Sequence, residues 1–291
     1  MSHPMSASNK NKDQSAETTG HSWDGIEEYN NPLPRWWLWT FYATIAWAVA
    51  YMVVYPAVPL LKQASPGLLG YASRAELETE LVHFKSANAP LDKALVATDL
   101  AMIKDQPNLA HYATTGGAAV FRTFCAQCHG SGAAGATGYP NLLDDDWLWG
   151  GRLPAIYQTI SHGIRAADDD ETRASEMPAF GEILEPSEIT NVSHYVMSIS
   201  DGTYDPSLVT SGKVIFADSC AGCHGATGTG NREFGAPNLT DALWLYGGGQ
   251  KAVAGTIAGG LKGMMPAWKE RLSESQLRQV AFYIHQLGGG E

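Results

Sequence analysis

From Trp36 to Leu61 the chain runs 26 residues without a charge, bracketed by Arg35 and Lys62. A bilayer-spanning helix takes about 20 mostly apolar residues. Pro56 and Pro59 cannot continue a helix, so the pattern predicts one over Trp36 to Tyr55, ~30 Å long at ~1.5 Å per residue. Trp36, Trp37, Trp39 and Tyr42 crowd its entry, and Tyr51 and Tyr55 its exit, as interfacial aromatic belts do. A cleaved signal peptide fits poorly, because its apolar region runs about 7–15 residues behind a short basic leader. Here the leader is 35 residues long. A buried core helix is the other alternative.

The flanks read differently. Residues 1–20 are polar and poor in large apolar groups, which predicts disorder. Trp23 and Ile26 then interrupt a polar stretch, as a docking point or a surface helix would, or as incidental aromatics in a tail. Beyond Lys62, Ala75 to Phe84 places Leu77, Leu81 and Phe84 on one helical stripe, and Asp92 to Ile103 is similar. Pro90 and Pro107 punctuate these stretches, so they read as separate short amphipathic helices in a linker. His83 and His111 there read as packing or surface residues.

The remainder repeats itself. Gly117, Phe121, Cys125 and His129 recur as Gly212, Phe216, Cys220 and His224, 95 residues on. Pro140-Asn141-Leu142, Trp147 and Gly150-Gly151 recur as Pro237-Asn238-Leu239, Trp244 and Gly247-Gly248 at an offset of 97. Met177-Pro178, Leu184, Val192 and Tyr195 recur as Met265-Pro266, Leu272, Val280 and Tyr283 at 88. One module is used twice. The fall from 97 to 88 marks nine extra residues in the first copy, within the charged run Arg165 to Glu176. This insertion reads either as a docking or propionate-facing element, with Arg165 or Arg173 offsetting charge, or as a solvated loop. Each module opens with a helix carrying Gly117 and Phe121, or Gly212 and Phe216. Each closes with a helix after the acidic cap Glu188 or Glu274, carrying Val192 and Tyr195, or Val280 and Tyr283. A glycine facing an aromatic lets two helices cross closely.

Length and charge narrow the function. The 291 residues allow roughly two domains at ~100–200 residues each. A net charge of −11 and a pI near 5.2 exclude nucleic acid as a partner, since phosphate binding needs a basic face. The same charge suits a basic partner protein.

All four cysteines lie in Cys125-Ala126-Gln127-Cys128-His129 and Cys220-Ala221-Gly222-Cys223-His224. Cys-x-x-Cys-His is the attachment signature of c-type haem: two thiols bond the vinyl groups, and the adjacent histidine lies beneath the iron. Zinc would need ligands paired across both signatures and leaves the Met-Pro pairs unexplained. A thioredoxin-like motif belongs in a βαβ setting, which is absent. An iron that only carries electrons takes a sixth ligand. The repeat offers Met177 and Met265 at matching places, soft thioethers that favour the ferrous state. Met264 precedes another Met, so alignment selects Met265. His162 and His194 match Gly259 and Ala281 and read as structural or surface residues. The expected set is therefore Cys125, Cys128, Cys220 and Cys223 as thioether anchors of two covalently bound haem c groups, with His129, Met177, His224 and Met265 as axial ligands and no catalytic residue.

Each module resembles class I cytochrome c, small, mostly helical and wrapped around its haem. The fold expected is mostly α, one N-terminal transmembrane helix followed by two tandem class I cytochrome c domains. The whole chain resembles the dihaem subunit, CcoP/FixP or subunit III, of cbb3-type cytochrome c oxidases. That likeness rests on Trp23-Asp24-Gly25-Ile26 and Asn30-Asn31-Pro32-Leu33-Pro34-Arg35-Trp36-Trp37 ahead of one membrane helix and two haem modules. The resemblance implies a non-catalytic electron-transfer subunit of an oxidoreductase complex. It would take electrons from a soluble or membrane-bound periplasmic cytochrome c and pass them to a monohaem subunit and a haem–copper subunit, which reduces O2 to water and pumps protons. Both irons being six-coordinate, and no copper-binding histidine cluster being present, the chain itself reduces no oxygen. The alternatives are a dihaem carrier of another respiratory or dehydrogenase complex, a dihaem peroxidase, and a structural membrane adaptor.

In bacteria, c-type haem is attached outside the cytoplasmic membrane, which orients the chain across the inner membrane. The organisation expected is a cytoplasmic segment 1–35, a single transmembrane helix 36–61, a periplasmic linker 62–110, and periplasmic haem domains 111–202 and 203–291.

Overall fold

The structure, a computed structural model, describes residues 17–62 and 64–291. The disorder expected of residues 1–20 lies outside the described residues for 1–16 and is corrected for the rest, since Thr18 to Gly20 belong to a strand. Strands β1 (Thr18–Trp23) and β2 (Ile26–Tyr29) pair antiparallel, with Trp23 opposite Ile26 and Thr18 opposite Tyr29. The surface-helix reading of this segment is corrected here. Asp24 and Gly25 take φ of 50° and 84°, the left-handed pair that a two-residue type I′ turn demands, and Asp-Gly supplies it cheaply. Trp23, Ile26 and Tyr29 remain exposed.

Helix α1 (Arg35–Val54) lies within one residue of the Trp36 to Tyr55 span at each end and stops seven residues short of the 36–61 limit, which is corrected here; it has a mean hydropathy of 1.5 and buries no residue. Tyr55 ends it in extended backbone, the conformation imposed by the following Pro56. Helix α2 (Ser73–Ala97) differs from expectation, running unbroken through Pro90. A proline inside a helix removes one hydrogen bond and crowds the preceding turn. In a helix of 25 residues the remaining ladder carries that cost.

From Lys85 to Glu291 the chain forms a second compact unit. A 3₁₀ turn (Leu100–Asp105), capped by the Asp99 carboxylate accepting from Ala101 N–H at 2.9 Å, leads into α3 (Pro107–Val120). A π-turn (Phe121–Cys125) and the short α4 (Ala126–His129) follow, then α5 (Leu153–His162) and α6 (Pro186–Ile199). The second copy supplies α7 (Pro206–Ser219), α8 (Ala221–His224), α9 (Gln250–Gly259) and α10 (Glu274–His285). The expected acidic caps are corrected: the closing helices are N-capped by Glu185 and Ser273, in capping boxes with Glu188 and Gln276, while Glu274 lies in the first turn.

The packing crosses the sequence repeats. Opening helix α3 packs on α10 rather than on α6, and α7 packs on α6. A β-carbon at Gly117 would collide with the Gln279 carbonyl and with Tyr283; one at Gly212 would collide with the Asn191 carbonyl and Tyr195. The aromatic pairs follow the same exchange, Phe121 against Tyr283 at 5.7 Å and Phe216 against Tyr195 at 5.1 Å between ring centroids. One core therefore joins α3, α5 and α10 around Phe121, Ile156 and Val280, and the other joins α6, α7 and α9 around Phe216, Val192 and Ile257. Phe121 and Phe216 are each 1% exposed, and burying such a ring stabilises by ~1.5–3 kcal/mol. The limits 111–202 and 203–291 describe the repeat along the chain, while each core draws its closing helix from the other copy.

Candidate haem sites

Both attachment turns are built alike. One cysteine of each signature, Cys125 or Cys220, is half-buried beside its core, and the other, Cys128 or Cys223, is exposed. Burial, with a smaller contribution from the neighbouring thiol, pushes Cys125 and Cys220 up to about 11. They keep their protons at neutral pH, unlike the thiolates that hold zinc.

Each histidine presents one ring nitrogen able to ligate a metal. His129 Nδ1 lies 3.1 Å from the Pro140 carbonyl, and His224 Nδ1 lies 3.1 Å from that of Pro237. With Nδ1–H donating to the carbonyl, Nε2 keeps its lone pair free for a metal. Burial lowers the pKa of both rings and outweighs the carbonyl's opposing pull, so both are neutral imidazoles at neutral pH. The loops that present these carbonyls close back on the attachment turns: Gly135 N–H donates to the His129 carbonyl at 2.9 Å, and Gly230 N–H to that of His224 at 2.8 Å.

The methionines follow the crossed packing. Ile164 and Met265 exchange backbone hydrogen bonds of 2.9 and 3.0 Å, and Leu261 and Met177 exchange bonds of 3.0 and 3.2 Å. The approach requires glycine at Gly163 and Gly260, with φ of 68° and 67°, where a β-carbon would strike the Met265 or Met177 carbonyl. Met265 thereby packs in the core of Cys125, beside Trp268, whose ring lies 5.6 Å from that of Phe124. Met177 packs in the core of Cys220. Each signature shares its core with the methionine of the other repeat. A half-buried cysteine and a methionine sharing one core, with an exposed second thiol and a neutral imidazole with a free Nε2 on the adjoining turn, form a donor set that fits covalently attached haem.

The insertion is more ordered than a solvated loop. Asp169, 1% exposed at its side chain, accepts from His162 Nδ1 at 3.1 Å and from Lys269 Nζ at 3.2 Å. Burial raises its carboxyl, but the Glu171 N–H, His162 and Lys269 outweigh that and hold it below the usual carboxylate range. His162, Asp169 and Glu171 bring their ligand atoms within 4.8 Å, yet the Lys269 ammonium already supplies the cation there. Arg173 donates to the Trp149 carbonyl at 2.8 Å and lies 5.1 Å over the Trp149 ring. A carboxylate buried inside an acidic insertion carries no periodic signal, so sequence reasoning missed Asp169.

Comparison with known proteins covers almost the whole chain. Residues 15–62 match the N-terminal domain of cytochrome oxidase-cbb3, FixP; residues 115–200 match cytochrome c; residues 207–284 match cytochrome c oxidase, cbb3-type, subunit III. The chain is 56% identical over 284 residues to the cbb3-type cytochrome c oxidase subunit CcoP of Cereibacter sphaeroides, covering 97% of this chain and 98% of that protein. It is 54% identical to the FixP subunit of Sinorhizobium medicae, covering 94% and 95%. It is 52% identical to the CcoP subunit of Rhodobacter capsulatus, covering 94% and 96%. The expected fold class stands: mostly helical, with one candidate N-terminal membrane helix and two cytochrome c domains.

Proposed function

We infer that this chain, which belongs to the CcoP/FixP family of cbb3-type cytochrome c oxidase subunits, is the electron-relay subunit of such an oxidase and carries two covalent haems with crossed ligation. One haem is tethered by Cys125 and Cys128 and ligated by His129 and Met265. The other is tethered by Cys220 and Cys223 and ligated by His224 and Met177. The observation that carries this reading is the pair of histidines whose Nδ1 groups are held 3.1 Å from proline carbonyls beside the attachment cysteines.

When bound, haem supplies a one-electron ferric/ferrous couple. The chain's residues do the rest. The cysteines tether the ring, and the Pro140 and Pro237 carbonyls lock each imidazole in the tautomer that can ligate. Met265 and Met177 would each supply a thioether ligand, and a soft sulfur would raise the potential relative to a second histidine. Electrons enter from a periplasmic cytochrome c and leave toward the monohaem and haem–copper subunits, where oxygen is reduced and protons are pumped. Helix α1 anchors the chain in the bacterial inner membrane, with the N-terminus cytoplasmic and the haem units periplasmic.

The test is a purified oxidase complex. Haem staining of the denatured chain and a haem-to-protein ratio should give two covalent haems per polypeptide, both reduced by a soluble cytochrome c before oxygen is consumed. A single haem, or oxygen consumption that bypasses both, overturns the reading.

A further inference from the structure

The two methionine loops meet at one side chain. Arg165 Nε donates to the Gly263 carbonyl at 2.6 Å, and its Nη1 donates to the Ser175 carbonyl. Gly263 stands two residues before Met265, and Ser175 two residues before Met177. A single guanidinium thus spans the equivalent points of both loops. Its backbone is held as firmly: Arg165 N–H donates to the Arg173 carbonyl at 2.7 Å, and the preceding Ile164 is hydrogen-bonded to Met265. Arg165 also takes a φ of 51°, a region disfavoured for a residue with a β-carbon. A bulky residue persists there only where the surroundings over-determine it.

The internal repeat supplies a control. The counterpart of Arg165 at the 97-residue offset is Lys262, whose side chain is 69% exposed and pairs with Glu176 at 3.3 Å. One half of the pseudo-symmetric pair turns to solvent, while the other turns inward and joins both loops. A lysine ammonium is a point charge, whereas the planar guanidinium fork reaches two fixed carbonyls at once and stays charged at any accessible pH. Its partners at both carbonyls are neutral, and the nearby Glu176 carboxylate, which also acts on Arg165, is paired with Lys262.

We propose that Arg165 is a positioning residue that clasps both axial-methionine loops and places one fixed cation shared by the two haem sites, so that their reduction potentials move together. The inference rests on the proposed haem ligation, though not on which methionine serves which haem. A nearby positive charge favours the reduced, less positive iron.

The test uses the full-length chain in its purified oxidase complex. Arg165→Gln should lower both haem potentials in redox-monitored spectra. A tenfold change in each reduction equilibrium reads as about 59 mV for a one-electron couple. The same variant should weaken the methionine–iron charge-transfer band of both oxidised haems. Arg165→Lys should restore much of the potentials but not the bands, because it returns the charge without the fork. Both haems present at unchanged potential, a shift in one haem alone, or full recovery of the bands in Arg165→Lys overturns the proposal. If Arg165→Gln fails to assemble, Arg165→Lys carries the test through the bands of both haems. A wild-type chain with no covalent haem refutes the ligation reading instead, so the two failures stay distinguishable.

Discussion

A histidine that serves an iron must offer one nitrogen lone pair, and the Pro140 and Pro237 carbonyls decide which nitrogen that is. At the residue scale the proposed crossed ligation gives a sharp expectation. Met265→His should retain haem but lower the potential of the one tethered at Cys125 and Cys128. Met177→His should act on the other. The shifts should be a fraction of the roughly 0.8 V that axial ligands span. Redox titration with Cys220 and Cys223 both replaced by Ser, where only the haem at Cys125 and Cys128 remains, should show a shift for Met265→His and none for Met177→His; replacing Cys125 and Cys128 instead should show the converse. The reverse assignment would return each methionine to its own repeat. Asp169 yields a pH prediction. Its folded-state carboxyl lies below its ordinary value, so the stability it contributes is fully present above about pH 4 and is lost as pH falls through the folded value. Asp169→Asn should lower the thermal midpoint at neutral pH and flatten its decline on acidification, as measured by melts between about pH 6 and pH 3.

At the scale of elements, the helix crossings hold the interleaved arrangement together. Gly117→Ala should destabilise by about 1–3 kcal/mol, since the added carbon meets the α10 backbone, which cannot rotate away. A double-mutant cycle can locate the partner. Phe121→Leu should couple to Tyr283→Leu by ~0.5 kcal/mol or more, since the two ring centroids lie 5.7 Å apart, and add simply with Tyr195→Leu, as read by chemical denaturation. Coupling to Tyr195 instead would return α6 to its own repeat. Much at this scale was legible in the chain. The Gly/Phe and Val/Tyr faces announce which helix types cross, and the uncharged run locates α1 within one residue at each end. The hairpin was not read, because Asp24-Gly25 sits among short, mixed-polarity flanks with no clean alternation. The continuity of α2 was missed because Pro90 is a strong local breaker that the surrounding helix nonetheless accommodates.

For the whole molecule, exchanged closing helices make the haem-bearing region one assembly rather than two beads. Residues 85–202 and 203–291, co-expressed as separate chains, should therefore co-purify, each providing the methionine loop and closing helix of the other's core. Two halves that elute apart, each with an intact methionine–iron band, would contradict the interleaving. Connectivity accounts for the direction of exchange. Residues 200–205 alone join α6 to α7, whereas residues 121–185 separate it from α3. In a flexible-chain estimate the longer closure costs ~2 kcal/mol more. Sending α10 back to α3 across residues 121–273, instead of to α7 across 220–273, returns ~1 kcal/mol of that.

What is local was legible along the chain: the two Cys-x-x-Cys-His spacings, the Met-Pro pairs, the membrane-length run, and through its N-terminal block the family. Each depends on residues close together along the chain, where spacing and chemistry act directly. Only the tertiary structure decided which methionine faces which signature and that Arg165 joins both methionine loops. The reason is degeneracy. Both copies carry the same crossing glycine and aromatic, and what separates them is contact remote in sequence: Arg278 of α10 donates to the Leu95 and Thr98 carbonyls, where α6 carries Thr190, a distinction that periodicity cannot encode.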